Sequence, residues 1–442
     1  LNIVNPAAVS FAKVSMFDPS GRVFTYQDRI FRAIYDEGFA ALCHNVLDSH
    51  WMGNVFEAGM IKTWVCEDIS LAGAFLTLEH EKLPFDLHPS ENTAYMHWLA
   101  AKALVATARE LAKNGYQLKD AHPWNIMYSR GFPRFIDFGS LTPGSAVLDF
   151  WLDEFKKYFA VPIWLASSNR WHRLALDYRR EHTHGFGLRL LGADGFLHNA
   201  MMRGLNGARR STASPGHFFA SVDEWLDHHA PVKALHGAWT NYEQAHAAGP
   251  SNPQTAKQKF VYDILRRERP KKVLDCAANK GFFSVMAAQL GASVASFDYE
   301  ESLVDACLQL AQRERLDITP AMMDFKAPTA GYGVGLCGDD ALGRFQSDIV
   351  LALGLMHHLC IVQNLPVVAF CGICMKYAAK GVILEYVDPA DVHVKGWNRA
   401  VPDGYSLENI CRIFREKFSK VEKSELLSDD GICRYLLYFS NP

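Results

Sequence analysis

The stretch Val273-Leu274-Asp275-Cys276-Ala277-Ala278-Asn279-Lys280-Gly281 constrains the fold of this chain most tightly. An apolar run ending in an acid, a turn of small residues and an amphipathic segment from Phe282 read as a buried strand, a tight loop and a helix. That is the opening unit of a doubly wound α/β sheet. Small side chains let a ligand approach the loop backbone, and the start of the helix offers N–H groups without intrahelical partners. The pattern then repeats, with strands expected at 272–275, 293–298, 349–353 and 381–386 and helices at 282–290, 301–314 and 365–378. Such alternation predicts a mainly parallel sheet. Two last apolar runs, 421–426 and 433–439, are expected to pair as an antiparallel edge.

The loop reads Asp-x-Ala-x-Asn-x-Gly, not the G-x-G-x-x-G of a dinucleotide site. Asp275 would repel a pyrophosphate and attract an ammonium group. A second strand, 292–298, ends at Asp298, where a carboxylate suits ribose hydroxyls. Together the two acids favour S-adenosylmethionine (SAM) over NAD.

These residues resemble class I SAM-dependent methyltransferases, especially a bacterial group whose loop runs Asp-x-Gly-x-Asn-x-Gly. Asp275, Asn279 and Gly281 match, while Ala277 replaces the first glycine, which is tolerable only away from positive φ. The likeness extends to Trp239-Thr240-Asn241-Tyr242, to Met323-Asp324, and to the run from Asp348 through Leu359. It implies a Rossmann-like fold over residues 236–442, with Asp324 near the adenine, Phe325 flanking it and Tyr242 at the methionine end. No resident metal is expected.

Upstream, Asp120-Ala121-His122-Pro123-Trp124-Asn125 repeats the Asp-x-x-x-x-Asn spacing of a kinase catalytic loop, and Asp137-Phe138-Gly139 follows. In kinases the first Asp positions a hydroxyl nucleophile, while the Asn and second Asp hold magnesium. The NoeA-like bacterial methyltransferase group is similar in carrying such a segment ahead of its SAM domain. This implies an α+β kinase-like domain, with a small β-rich lobe at 1–80 and a mainly helical lobe and connector at 81–235. No upstream G-x-G-x-x-G or Val-Ala-Ile-Lys strand accompanies it. Lys13, Arg32 and Lys62 are the candidate replacements for the phosphate-binding lysine. A degenerate kinase fold that shapes an acceptor site or binds a nucleotide is favoured over a working one, so magnesium-ATP is not the favoured cofactor.

Local patterns fill in this region. Asp18-Pro19-Ser20-Gly21 signals a hairpin between 14–17 and 22–26. A strand at 29–33, a helix over 36–58 and strands at 61–67 and 74–80 follow. A helix over 93–114 should end at Asn114-Gly115.

His357 and His358 stand just past the fourth strand of the rear sheet, on the side where ligands bind. One of them is a candidate base for a hydroxyl or amine acceptor; the alternative is packing and a backbone hydrogen bond. Glu385, Asp388 and Asp391 are either surface loop acids or a cluster for a cationic or polyhydroxylated acceptor or a divalent metal. Cys371 and Cys374 form a C-x-x-C with no second pair at zinc-ligand spacing, so core packing is expected.

A net charge of −3 over 442 residues gives no electrostatic footprint for nucleic acid. No membrane span and no signal peptide are expected, and free thiols fit a cytoplasmic location. The expected activity is methyl transfer from SAM to a small molecule or saccharide, at oxygen or nitrogen. The rivals are a bifunctional kinase–methyltransferase and a non-catalytic SAM- or nucleotide-binding regulator.

Overall fold

The computed structural model describes residues 2–18, 20–144, 148–167, 205, 215–231, 253–427 and 433–442. Tyr242, the rest of the segment from Trp239, and the expected boundary at 235/236 lie outside the described residues.

The rear half is built on a seven-stranded sheet. Its strands are β12 (Lys272–Asp275), β13 (Ser293–Asp298), β14 (Ile318–Met322), β15 (Ser347–Ala352), β16 (Ala378–Val387), β17 (Lys420–Leu427) and β18 (Cys433–Ser440), in the order β14-β13-β12-β15-β16-β18-β17. β12 pairs in parallel with both β13 and β15. β18 runs antiparallel to both β16 and β17. Val273, Leu274, Val350 and Leu351 are fully buried, because helices cover both faces of the central strands. The last two strands pair as the sequence suggests, but β18 inserts between β16 and β17, so of these two only β17 lies at an edge.

The front half carries a five-stranded sheet of β2 (Ser10–Phe11), β3 (Gly21–Tyr26), β4 (Arg29–Ile34), β5 (Thr63–Val65) and β7 (Leu76–His80), in the order β2-β3-β4-β7-β5. β1 (Asn2–Val4) pairs separately with β6 (Ile69–Leu71). The expected strand at 14–17 is instead a 3-10 turn over Lys13–Phe17, so the hairpin does not form there. The Asp18 side chain accepts from the Ser20 N–H at 2.9 Å and pairs with Arg32, which draws this connection across the sheet. The tight hairpin is β3–β4, turning on Gln27 and Asp28, both at positive φ.

The helical run expected at 36–58 is two helices, α1 (Glu37–Leu47) and α2 (Met52–Ala58). α3 (Ala94–Lys113) is capped by Thr93, whose hydroxyl accepts from the Met96 N–H, and ends at Asn114. Then come β8 (Tyr116–Leu118), the hairpin of β9 (Ile126–Ser129) with β10 (Phe132–Phe135), and β11 (Leu141–Pro143).

The halves meet through a buried bidentate pair: Arg344 donates to both carboxylate oxygens of Glu91, with side-chain exposures of 4% and 0%. Arg344 also donates to the carbonyl of Asp86, and Lys272 to that of Pro84. Thr93 bonds Asp305, and Gln312 bonds the carbonyl of Gly131. Cys371 and Cys374 are buried on the helix Val367–Tyr377, in the core as expected. No helix among the described residues is long and apolar enough to cross a membrane.

Candidate functional site

The carboxyl ends of β12 and β13 build the first part of the site. Asp275 closes β12 and is 2% exposed. The Ser284 hydroxyl donates to it at 2.8 Å and lies 3.2 Å from Ser296 Oγ, which in turn contacts the Cys307 thiol at 3.2 Å. Burial pushes the Asp275 carboxyl up to about 6, against the lowering effect of Ser284.

The loop after β12 is pinned at both sides. The Cys276 N–H donates to the carbonyl of Leu351, and the Ala278 N–H to that of Phe297. Asn279 (φ 52°) and Gly281 (φ 85°) take left-handed conformations, whereas Ala277 does not. The alanine at the expected glycine position is therefore unstrained. Gly281 has no such freedom, since a Cβ there would stand 2.8 Å from Cys307 Sγ.

Asp298 closes β13 and accepts the N–H groups of Asn279 at 3.1 Å, Tyr299 at 2.8 Å and Glu300 at 3.1 Å. Burial raises its carboxyl to about 6 despite those bonds. The strand-end acid and the small-residue loop are thus one hydrogen-bonded unit. Asp324, two residues past β14, is exposed and caps its own turn by accepting the Lys326 N–H at 2.9 Å. Phe325 is 5% exposed and packs on Phe370 at 5.0 Å, within the core.

A second group gathers past β15 and β16. His357 is 7% exposed, and its ring lies parallel to Trp397, 4° apart in plane with centroids at 5.6 Å. His358 sits 4.2 Å from His357 and 4.8 Å from Trp397. Burial, then His358, lowers the His357 pKa to about 3, so its imidazole is neutral at physiological pH. Burial also lowers that of His358. The Nδ1 atom of His357 is buried without a hydrogen-bond partner.

Glu385 and Asp391 are not surface loop acids: each is 2% exposed. Lys257 pairs with Glu385 at 2.6 Å, and Arg434 pairs with Asp391 at 2.8 Å and approaches Glu385 at 3.8 Å. These cations hold the Glu385 carboxyl below its ordinary range against the pull of burial. Asp388 instead caps a turn through the Ala390 N–H.

Sequence reading did not reach Lys257, Ser284, Arg434 or Trp397. For Lys257 a signal existed. Thr255-x-x-Gln258 forms a reciprocal capping box that starts the helix Ala256–Glu268 with Lys257 in its first turn.

In the front half, the turn that carries Asp137 lies against the Asp120–Asn125 loop and against Arg32 of the five-stranded sheet. Arg32, on β4, is the candidate cation found there. It donates to Asp137 and to Asp18, each at 2.6 Å. Asp137 also accepts the Gly139 N–H, and a Cβ at Gly139 would meet Arg32 Nη1 at 2.3 Å. Asp120 accompanies them: burial raises its carboxyl, and the nearby Asp137 raises it further against the lowering effect of His122. The Asn125 carbonyl accepts the Ile136 N–H, which ties the Asp120–Asn125 loop to the Asp137 turn. Lys13 instead reaches Asp339 of the rear half at 4.0 Å.

Trp124, inside the kinase-like loop, stacks on Tyr332 of the rear half with centroids 3.7 Å apart and planes 10° apart. Among the described residues, one group has metal-ligand proximity, Cys66 with Asp68 and Glu79. Arg29 already pairs with both of its acids, which makes it an ion-pair cluster.

The rear sheet, with the reversed β18 inserted between β16 and β17 and acids closing β12 and β13 on either side of a small-residue loop, is a Rossmann-like α/β fold. Over its length the chain is similar to nodulation protein NoeA of Rhizobium meliloti (strain 1021), at 25% identity over 417 residues and 86% of each chain. That bears out the NoeA-like resemblance. No family model matches the chain.

Among solved structures it is similar to magnesium protoporphyrin IX methyltransferase (ChlM) from Synechocystis PCC 6803 with bound SAH, the demethylated product of SAM. The two share 17% identity, 43% of this chain and 90% of that one are covered, and the TM-score is 0.31. It is also similar to the bifunctional kinase-methyltransferase WbdD, at 20% identity, with 43% and 40% covered and a TM-score of 0.32.

Proposed function

We propose that this protein transfers the methyl group of SAM to a small-molecule or saccharide acceptor, at oxygen or nitrogen. In this reading the front half shapes the acceptor side. The observation that carries it is the unit of Asp275, the pinned loop and Asp298. The residues present fit the cofactor. Asp275 is a buried acid that would suit an ammonium group, Asp298 would suit a ribose diol, and Gly281 keeps a left-handed turn that no side chain fills. Asp275, Ala277, Asn279, Gly281 and Asp298 would hold SAM, with Asp324 at the adenine edge; Phe325 and Tyr242 complete the set read from the sequence.

When bound, SAM supplies an activated methyl group whose leaving group it already carries. The protein's work is alignment and proton handling. Ser284 orients the Asp275 carboxylate, and the three N–H donors on Asp298 fix that acid before any ligand arrives. His357, held neutral, acts as a hydrogen-bonding group on the acceptor and not as a strong base. His358, beside it, takes the acceptor's proton. Both are on the β15–β16 side of the cleft.

The test uses the full chain with methyl-labelled SAM and a panel of saccharide and small amine or hydroxyl acceptors. Product mass should rise by one methylene unit with SAM alone and without ATP. SAM binding with no methyl consumption across the panel would favour a non-catalytic binder.

The convergence of Asp120 with Asp137 favours a second reading, in which the front half binds magnesium-ATP and phosphorylates the same acceptor. Arg32 speaks against it, because it already neutralises Asp137. A product whose mass depends on both ATP and SAM would establish the bifunctional enzyme.

A further inference from the structure

Residues 323–340, between β14 and the short helix Ala341–Arg344, are rooted beside Asp298. The Met323 N–H donates to the carbonyl of Asp298 at 2.9 Å, and the Thr329 hydroxyl lies 3.7 Å from Met323 Sδ. The Thr329 carbonyl accepts the Ala341 N–H at 2.8 Å and the Tyr332 carbonyl accepts the Gly338 N–H at 2.7 Å, so the loop closes on itself. That closure needs glycine: a Cβ at Gly331 would stand 2.3 Å from the Gly338 carbonyl oxygen, and one at Gly338 would stand 2.7 Å from that of Tyr332. At the tip, Val334 and Leu336 are 61% and 68% exposed. A tip that faces solvent cannot fix the loop's place beside Asp298, so its position is set from outside.

The front half sets it. Trp124 and Tyr332 stack with centroids 3.7 Å apart, which leaves no room for a third ring between them, so the pair is a contact and not a ligand platform. His88 packs edge-on to both rings, at 5.6 and 6.2 Å. The adjoining turn Pro89–Glu91 carries Glu91, which holds Arg344 just past the end of the loop. Lys13 reaches Asp339 at 4.0 Å, and a Cβ at Gly333 would stand 3.9 Å from Val14 Cγ1. Three separate segments of the front half thus grip one loop of the rear half. Thr93–Asp305 and Gln312–Gly131 join the halves through bonds that do not touch this loop.

We propose that Trp124 and Tyr332 are positioning residues for cofactor binding: their stack holds the 323–340 loop in register with Asp298, so the front half completes the cofactor side of the cleft as well as the acceptor side. The proposal rests on the SAM reading of the ends of β12 and β13. Neither ring touches SAM in it.

The test is calorimetric titration of SAH into the full chain. Trp124→Ala and Tyr332→Ala should each weaken SAH binding by about 3- to 10-fold, the range expected when one aromatic pair is lost. Trp124→Phe and Tyr332→Phe keep a ring in the stack and should stay within about twofold of the wild type. Gln312→Ala removes a bond between the halves without touching the loop and should leave SAH affinity unchanged. Hydrogen exchange gives a second readout. The Gly338 and Ala341 amides should exchange faster in Tyr332→Ala than in Tyr332→Phe, and SAH should slow them in the wild type.

Unchanged SAH affinity in both folded alanine variants, the same loss in the phenylalanine variants, or an equal loss in Gln312→Ala would overturn the proposal and leave the SAM reading intact. If the alanine variants do not fold, the wild type decides: SAH binding without slower exchange at Gly338 and Ala341 also overturns it. If the wild type binds no SAH, the SAM reading fails and takes the proposal with it.

Discussion

The Arg32 guanidinium sits 2.6 Å from Asp137 and 2.6 Å from Asp18, with its side chain only 7% exposed. One cation thus occupies the carboxylate that a working kinase would give to magnesium. Arg32→Met should leave Asp18 and Asp137, with side chains 26% and 23% exposed, without their shared cation and destabilise the protein by about 1–3 kcal/mol. Magnesium should restore part of the lost melting temperature in that variant and do nothing for the wild type. Thermal unfolding with and without magnesium checks this. Clear stabilisation of the wild type by magnesium-ATP would favour the bifunctional reading.

The Glu91–Arg344 pair locks the halves together. Glu91 also accepts the His88 N–H at 2.7 Å, so its loss would remove a cap and an ion pair at once. Arg344→Met should cost about 3–5 kcal/mol, because it strands a fully buried carboxylate. Glu91→Gln/Arg344→Met should cost less than the sum of the single variants, since the charge is removed with its partner. Denaturant unfolding of the full chain measures both.

The two strand-end acids give stability and binding opposite pH dependences. Asp275 and Asp298 keep their protons up to about pH 6 in the folded chain. Unfolded carboxyls release theirs near pH 3.9. The stability they add is therefore full below about pH 4 and lost as the pH rises through about 6. A ligand carrying ammonium and sulfonium charges favours the ionised acids, so its binding releases protons. SAM affinity should rise between about pH 5 and pH 7.5, and calorimetry in two buffers should detect proton release near pH 6.

His357 runs the other way. Folding lowers its pKa to about 3, so the stability from its neutral form is present above about pH 6.5 and lost as pH falls toward 3. His358→Ala should lower methyl transfer by about 10²- to 10⁴-fold, the range for a lost general base, with SAH affinity unchanged. Unchanged turnover in both single histidine variants and in the double variant would remove them from the mechanism.

The rear half was legible because its strands are buried on both faces and read as continuous apolar runs ending in Asp275 and Asp298. Nothing nearby competes with that signal. The front half was less so. Gln27-Asp28 makes a left-handed two-residue turn without the Asn-Gly signature, so the strands at 22–26 and 29–33 were legible but not the hairpin that joins them, while Asp18-Pro19-Ser20-Gly21 advertised a hairpin that tertiary pairing of Asp18 with Arg32 overrides.

Choosing Arg32 over Lys13 and Lys62 needed the strand register, since period and spacing say nothing about which side chain reaches Asp137. Glu385 and Asp391 looked like loop acids because their partners, Lys257 and Arg434, are far away in sequence. Long-range ion pairs carry no local pattern. Phe325 shows the reverse: its place next to a strand fitted an adenine flank, yet the ring packs on Phe370.

We propose that the ends of β12 and β13 bind SAM through Asp275 and Asp298. Titrating the full chain with SAH by calorimetry tests it most directly. One site per chain is expected, with Asp275→Asn and Asp298→Asn each weakening it by about 10-fold or more while the variants remain folded. No binding heat in the wild type, or unchanged affinity in both variants, would contradict it.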